Sequence, residues 1–122
     1  MEKNKKKSGH PAEYSLEYRP DSRVDVKEIL ASYDSFGSVQ GANRIMKKFK
    51  DATDNIRIFP YIGKEYYDPE LKDWKFHVFP VEKYLIFYRV FDDEKKVVVY
   101  RVLNGTTNYI QHLKQINPNK KS

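Results

Sequence analysis

Hydrophobic positions along the chain change period from one stretch to the next, and the changes divide it into elements. Glu13–Arg19 alternates, with Tyr14, Leu16 and Tyr18 on one side and Glu13, Ser15 and Glu17 on the other. That is the pattern of a half-buried strand. Pro20 ends it. Val26, Ile29, Leu30 and Tyr33 then fall on one helix face, with Asp21 or Ser22 as N-cap and Gly37 closing the helix. Ser38 is a second N-cap. Beyond it Ala42, Ile45, Met46, Phe49, Ala52, Thr53 and Ile56 keep helical spacing for roughly four turns. Phe59-Pro60 ends that helix. Two helices so close in sequence predict an antiparallel hairpin.

Tyr61–Asp73 reads as a connecting loop. From Trp74 to Leu103 the chain is dense in Val, Ile, Phe and Tyr, the residues that suit a pleated surface. Pro80 and the Asp92-Asp93-Glu94 run cut this stretch into three strands, Trp74–Phe79, Lys83–Phe91 and Lys96–Leu103. Tight connections make them an antiparallel meander. Asn104-Gly105 is a turn, and Thr106–Gln115 holds a short helix with Tyr109, Ile110 and Leu113 on its apolar side. The first strand joins the edge of the meander. The predicted fold is a two-layer α+β domain. It has an antiparallel four-stranded sheet with the N-terminal strand at its edge, a two-helix hairpin on one face and a short C-terminal helix.

The two sides of the central strands carry the functional question. Tyr84, Ile86, Tyr88 and Val90 lie on one side of the second meander strand, and Lys83, Leu85, Phe87, Arg89 and Phe91 on the other. Alternation in the last strand separates Val98, Tyr100 and Val102 from Val97, Val99, Arg101 and Leu103. A strand apolar on both sides expects cover on both. The helix hairpin covers one. The other is either left for a partner chain or filled by the C-terminal helix and the Tyr61–Asp73 loop. The first of these is the expectation.

Charge adds little to that picture. The net charge is +6. Lys3, Lys5, Lys6 and Lys7 against Glu2, with Lys120 and Lys121 at the other end, account for all but about one positive charge of it. Residues 1–12 and 116–122 are expected to be disordered basic tails around a domain at 13–115. Direct binding of free nucleic acid is not expected. The basic face of the second helix (Arg44, Lys47, Lys48, Lys50) reads as a wetted surface. No run approaches the eighteen or so apolar residues of a membrane span, and the Lys-rich start has no apolar segment of a signal peptide behind it. The absence of cysteine fits a reducing cytoplasm. Three scattered histidines form no metal site, and no phosphate loop or dinucleotide fingerprint is present. No metal or cofactor is expected.

The residues also carry a family resemblance. Phe79–Val90 (Phe-Pro-Val-Glu-Lys-Tyr-Leu-Ile-Phe-Tyr-Arg-Val) followed by Val99–Gly105 (Val-Tyr-Arg-Val-Leu-Asn-Gly) resembles the C-terminal half of RelE/ParE superfamily toxins. Tyr18-Arg19-Pro20, Asp25–Ile29 and Tyr33 look like that family's first strand and helix, and Phe59-Pro60 with Gly63 matches the end of its second. The likeness spans about residues 13–115. It implies a toxin of a type II toxin–antitoxin pair with a cognate antitoxin protein as partner. RelE-like members cut mRNA on the ribosome, and ParE-like members poison DNA gyrase.

Cleavage through the 2′-OH needs a base, an acid and cations on the scissile phosphate. The candidates for such a site are Lys75, His77, Arg89 and Arg101. Lys75 and His77 stand where RelE-like toxins place a basic pair, two apart on the first meander strand and so sharing a face. Leu85 occupies a position that is basic in the nuclease pattern. Gly105-Thr106-Thr107-Asn108-Tyr109 lacks the family's usual arginine, and His112 comes one turn further on. The resemblance therefore favours the ParE-like branch, acting on its target by binding rather than catalysis. A ribosome-dependent endoribonuclease and a non-toxic interaction module of the same fold are the alternatives. Leu85, Phe87, Arg89, Val99, Arg101 and Leu103 are the expected antitoxin-binding surface.

Overall fold

The computed structural model describes residues 13–35 and 37–116. Of the expected tails, residues 1–12 and 116–122, all but Ile116 lie outside the described residues. In chain order the elements are β1 (Ser15–Tyr18), α1 (Pro20–Ser35), α2 (Val39–Ile58), β2 (Lys64–Glu65), β3 (His77–Val81), β4 (Tyr84–Phe91), β5 (Lys96–Asn104) and α3 (Tyr109–Lys114). Single 3-10 turns occupy Lys72–Trp74 and Asp92–Glu94.

α1 begins at Pro20, one residue before the expected caps. Proline suits the first helical position because its missing N–H would have had no partner there. Ser22 is instead buried and donates its hydroxyl to the Arg19 carbonyl at 2.7 Å. Gly37, at φ +72, turns the chain into α2, and the Ser38 hydroxyl caps α2 by accepting from the Gly41 amide at 3.1 Å.

The sheet order is β1-β5-β4-β3-β2. β3, β4 and β5 form the expected antiparallel meander. The sheet departs from expectation in two ways. It has five strands, because Lys64 and Glu65 pair with Val78 and His77. Two residues are too few to show a period. β1 pairs with Lys96–Val99 in parallel, not antiparallel. Alternation reports which face a side chain takes, and not which way the strand runs. β1 is also tied to α2, since Arg57 Nε donates to the Tyr14 carbonyl at 2.8 Å.

β3 starts at His77, not Trp74, because the 3-10 turn and a left-handed Lys75 (φ 56) come first. It also runs through Pro80. A proline is tolerated there because β2 reaches only Val78, so no outer neighbour requires its N–H.

A β-bulge reorganises β5. Phe87 pairs with Arg101 and Tyr88 with Val99, leaving Tyr100 as the extra residue. The alternation of β5 therefore changes phase. Val97, Val99 and Val102 face the helices, packed with Ile45, Phe49, Ile56 and Ile86. Val98, Tyr100 and Leu103 face the other way, with Leu85, Phe87 and Phe91. This corrects the strict alternation read along Lys96–Leu103.

The second face is not bare. Leu71, Phe76 and Leu113 are buried on it, with Tyr66, Trp74, Tyr109 and Ile116 packed around them. The segment between β2 and β3, together with α3, covers the side that was expected to need a partner. Each large apolar side chain removed from water contributes roughly 2 kcal/mol, so a short cap rich in rings stabilises that face.

Candidate functional site

A partly apolar groove of about 710 Å³ lies on the other side of the sheet, between α1 and α2. Its floor is Ile86 of β4, Val99 and Val102 of β5, and Phe49 of α2. Val24 of α1 and Met46 of α2 border it, 51% and 47% exposed. Arg23, Lys27 and Lys50 also line it and make its border basic. Lys50 is bonded to Asp54 at 3.0 Å, and the Arg23 guanidinium lies 5.9 Å from the Tyr18 ring centroid.

Sequence periodicity missed this groove. Val24 falls outside the Val26, Ile29, Leu30, Tyr33 stripe, and helical spacing places Met46 with the buried face of α2, whereas it is half-exposed. The available signal was that the two helices carry more apolar positions than their contact with the sheet can absorb.

The four candidate catalytic residues do not gather. Lys75 is exposed on the left-handed residue after the Lys72–Trp74 turn. His77, at 7% exposure, is enclosed. Its Nδ1 donates to the Gly63 carbonyl at 3.1 Å, its ring stacks on Tyr88 at 5.6 Å, and Tyr61 meets it edge-on at 5.3 Å. Lys75 thus lies off the strand that positions His77. Arg89 donates from Nε to the Trp74 carbonyl at 2.6 Å. Arg101 is held by Asp25 of α1 through two bonds, at 2.7 and 2.8 Å. Asp25 also accepts the Val102 amide at 2.9 Å, closing the edge of β5 where β1 has ended. The Asp25 carboxylate pushes the Arg101 guanidinium further up in pKa.

The six residues expected to meet an antitoxin are divided by the sheet. Val99 lies in the groove floor. Phe87 and Leu103 are buried on the opposite face, with Leu85 packed beside them. Phe87 is covered by Tyr66, whose ring meets it edge-on at 5.6 Å, and by Tyr109 at 5.5 Å. Arg89 reaches that same face, and Arg101 turns to the sheet edge.

A second cluster fixes the loop after α2. Tyr88 donates its hydroxyl to the Pro60 carbonyl at 2.7 Å and accepts from the Gly63 amide at 2.9 Å. Burial raises the Tyr88 pKa. Asp92 accepts from Tyr14 at 2.7 Å and from Tyr61. Those two bonds lower the Asp92 pKa, and the bond to Asp92 raises Tyr61 to about 12. Among the described residues, no group of three His, Cys, Asp or Glu side chains could hold a metal ion.

Residues 16–109 match the family described as ParE toxin of type II toxin-antitoxin system, parDE. The chain belongs to the ParE toxin family. It is thus a toxin of a type II toxin–antitoxin system, as the motifs around Tyr88-Arg89-Val90 implied. No curated protein matches it in sequence. Among solved structures, the chromosomal ParDE toxin–antitoxin system of P. aeruginosa aligns with a TM-score of 0.60 at 13% identity. That alignment covers 76% of this chain and 97% of the other. The RelBE2 toxin–antitoxin complex of Mycobacterium tuberculosis aligns at 0.50 and 20% identity, covering 75% of this chain and 98% of the other. At such identities the structural likeness speaks for the fold of this ParE-family toxin, and its mechanism has to be argued from its own residues.

Proposed function

We propose that this ParE-family toxin arrests growth by binding a gyrase-type target in the cytoplasm, and that it carries no ribonuclease site. The dispersal of its cations is the observation that carries this reading. A nuclease must bring cations and a base onto one phosphate. Here Lys75 sits on a turn, His77 is enclosed by Tyr61 and Tyr88, and Arg101 is bound to Asp25. Arg89 lies on the sheet face away from His77, because His77 stands opposite Tyr88 on the helix side. Among the described residues, no helix is long and apolar enough to cross a membrane, which suits a cytoplasmic target.

The same reading assigns the groove between α1 and α2 to the antitoxin. Its apolar floor and basic border fit an amphipathic helix with acidic flanks. Residues 1–12 and 117–122 are basic, so charge disfavours the chain's own ends as occupants. Val99, one of the expected contact residues, lines this groove but is already buried, so the apolar contacts would fall to Val24 and Met46 on its border.

The test uses purified protein and DNA gyrase. Inhibition of supercoiling or trapped DNA breaks is the expected result. Mapped mRNA ends in translating cells after induction should show no new cleavage. Growth arrest accompanied by fresh ends within codons would replace this reading with the RelE-like one. Induction without any arrest would leave the chain an interaction module.

A further inference from the structure

We infer that Arg89 is the centre of a carboxylate-binding site on the sheet face away from the helices. Three rings surround its guanidinium, whose Cζ lies 5.2 Å from the Trp74 centroid, 4.9 Å from Phe91 and 5.8 Å from Tyr100. Two bonds fix it further, from Nε to the Trp74 carbonyl at 2.6 Å and from Nη1 to the Tyr100 hydroxyl at 3.2 Å. Both acceptors are neutral. Other guanidinium groups in the domain are paired with acids, Arg44 with Glu82, Arg57 with Glu13 and Arg101 with Asp25. Arg89 is held just as firmly, yet no Asp or Glu among the described residues pairs with it.

A guanidinium has five N–H donors in a rigid plane. Two are used here, and the rest meet no acceptor among the described residues. That leaves a pair of donors with the spacing that matches the two oxygens of a carboxylate. The rings hold the plane in place before a ligand arrives, which lowers the ordering cost of binding. They also thin the surrounding water and so strengthen the attraction. On the same Tyr100 ring the Arg19 guanidinium lies 5.6 Å from the centroid.

A nucleic-acid backbone would call for a row of cations along its track. This site offers one boxed guanidinium framed by apolar rings, in a domain whose net charge is near +1 once residues 1–12 and 117–122 are set aside. A single Asp or Glu side chain of a partner protein, flanked by apolar residues, is the ligand that fits. The site lies across the sheet from the α1/α2 groove and does not depend on what fills that groove.

Trp74 is the only tryptophan in the chain, so its emission reports on Arg89 directly. The full chain would be titrated with sodium glutarate, inorganic phosphate and sodium chloride at matched ionic strength. Glutarate should give a saturable emission change that chloride does not, weakened at least about tenfold in Arg89→Gln. In the wild-type chain the Arg89 Nε–H resonance should shift along the same curve, which keeps the test decisive if the variant does not fold. A response to glutarate no different from that to chloride would overturn the site, as would an undiminished response in folded Arg89→Gln. Tighter binding of phosphate than of glutarate would overturn the carboxylate assignment.

Discussion

The Gly63 amide and the Tyr88 hydroxyl meet at 2.9 Å, and a β-carbon at position 63 would stand 2.6 Å from that same oxygen. The loop leaving α2 is closed on β4 at a point where only glycine fits. Gly63→Ala should therefore destabilise the fold by about 2 kcal/mol, through overpacking against a ring that is fully buried. Tyr88→Phe removes the clash partner but strands the Gly63 amide and the Pro60 carbonyl, at a cost of about 2 kcal/mol. Urea denaturation of each variant checks both values. The double variant should lose less than the sum, because the two changes act on one contact.

Alkaline pH should unfold the protein through its buried tyrosines. Burial, reinforced by a bond to Tyr33, raises Tyr84 from 10.0 to about 12, and burial also raises Tyr88. An unfolded chain releases these protons near pH 10, where the folded chain still holds them. Between those values the unfolded state binds fewer protons, so stability falls as pH rises. The urea midpoint should be flat up to about pH 9 and drop steadily from pH 10 toward pH 12. A midpoint unchanged across that window would contradict the prediction.

Asp25 holds both the Arg101 guanidinium and the Val102 amide at the open edge of β5. The side chains are 8% and 15% exposed. Asp25→Ala leaves a nearly buried charge without a partner and should cost about 3 kcal/mol. Arg101→Met added to it should restore much of that loss, since the orphaned charge is gone. Thermal or urea melts of the two variants measure the difference.

The groove reading makes its own prediction. Val24→Asp and Met46→Asp alter half-exposed positions and should leave the fold intact. Each should weaken the cognate antitoxin at least about tenfold, by placing a charge against an apolar helix face. Lys27→Glu should act mainly on the association rate at low salt, with the difference shrinking as salt rises. Surface plasmon resonance or calorimetry separates the two effects.

Lys75 sits in the left-handed region at φ 56, which costs any residue but glycine about 1 kcal/mol. Lys75→Gly should raise stability by up to that amount. A toxin that acts by binding gyrase should keep its growth arrest in this variant, whereas a nuclease relying on Lys75 would lose it.

Much of the fold was legible in the chain. Tyr84, Ile86, Tyr88 and Val90 facing one way, with Leu85, Phe87 and Phe91 facing the other, defined β4 and both cores, because a strand repeats every two residues. Ile45, Phe49, Ala52 and Ile56 defined α2 in the same way. The rest escaped for physical reasons. β2 is too short to show a period, and the direction of β1 is set by tertiary pairing. The bulge at Tyr100 is one unpaired residue that alternation cannot register. The cap of Leu71, Phe76 and Leu113 comes from a loop and a short helix whose apolar residues follow no simple spacing. The fates of Arg89 and Arg101 turned on partners far away in sequence, Trp74 and Asp25.

Pro80 has a consequence for a toxin made in a crowded cell. An outer strand with free amides is a template on which another chain can add, and growth of the sheet by that route ends in aggregates. β3 is shielded by β2 only at His77 and Val78. Along the stretch that follows, Pro80 removes the donor that an incoming strand would need most. This border of the sheet is closed to self-association by a missing hydrogen atom, at no expense to the pairing of β3 with β4.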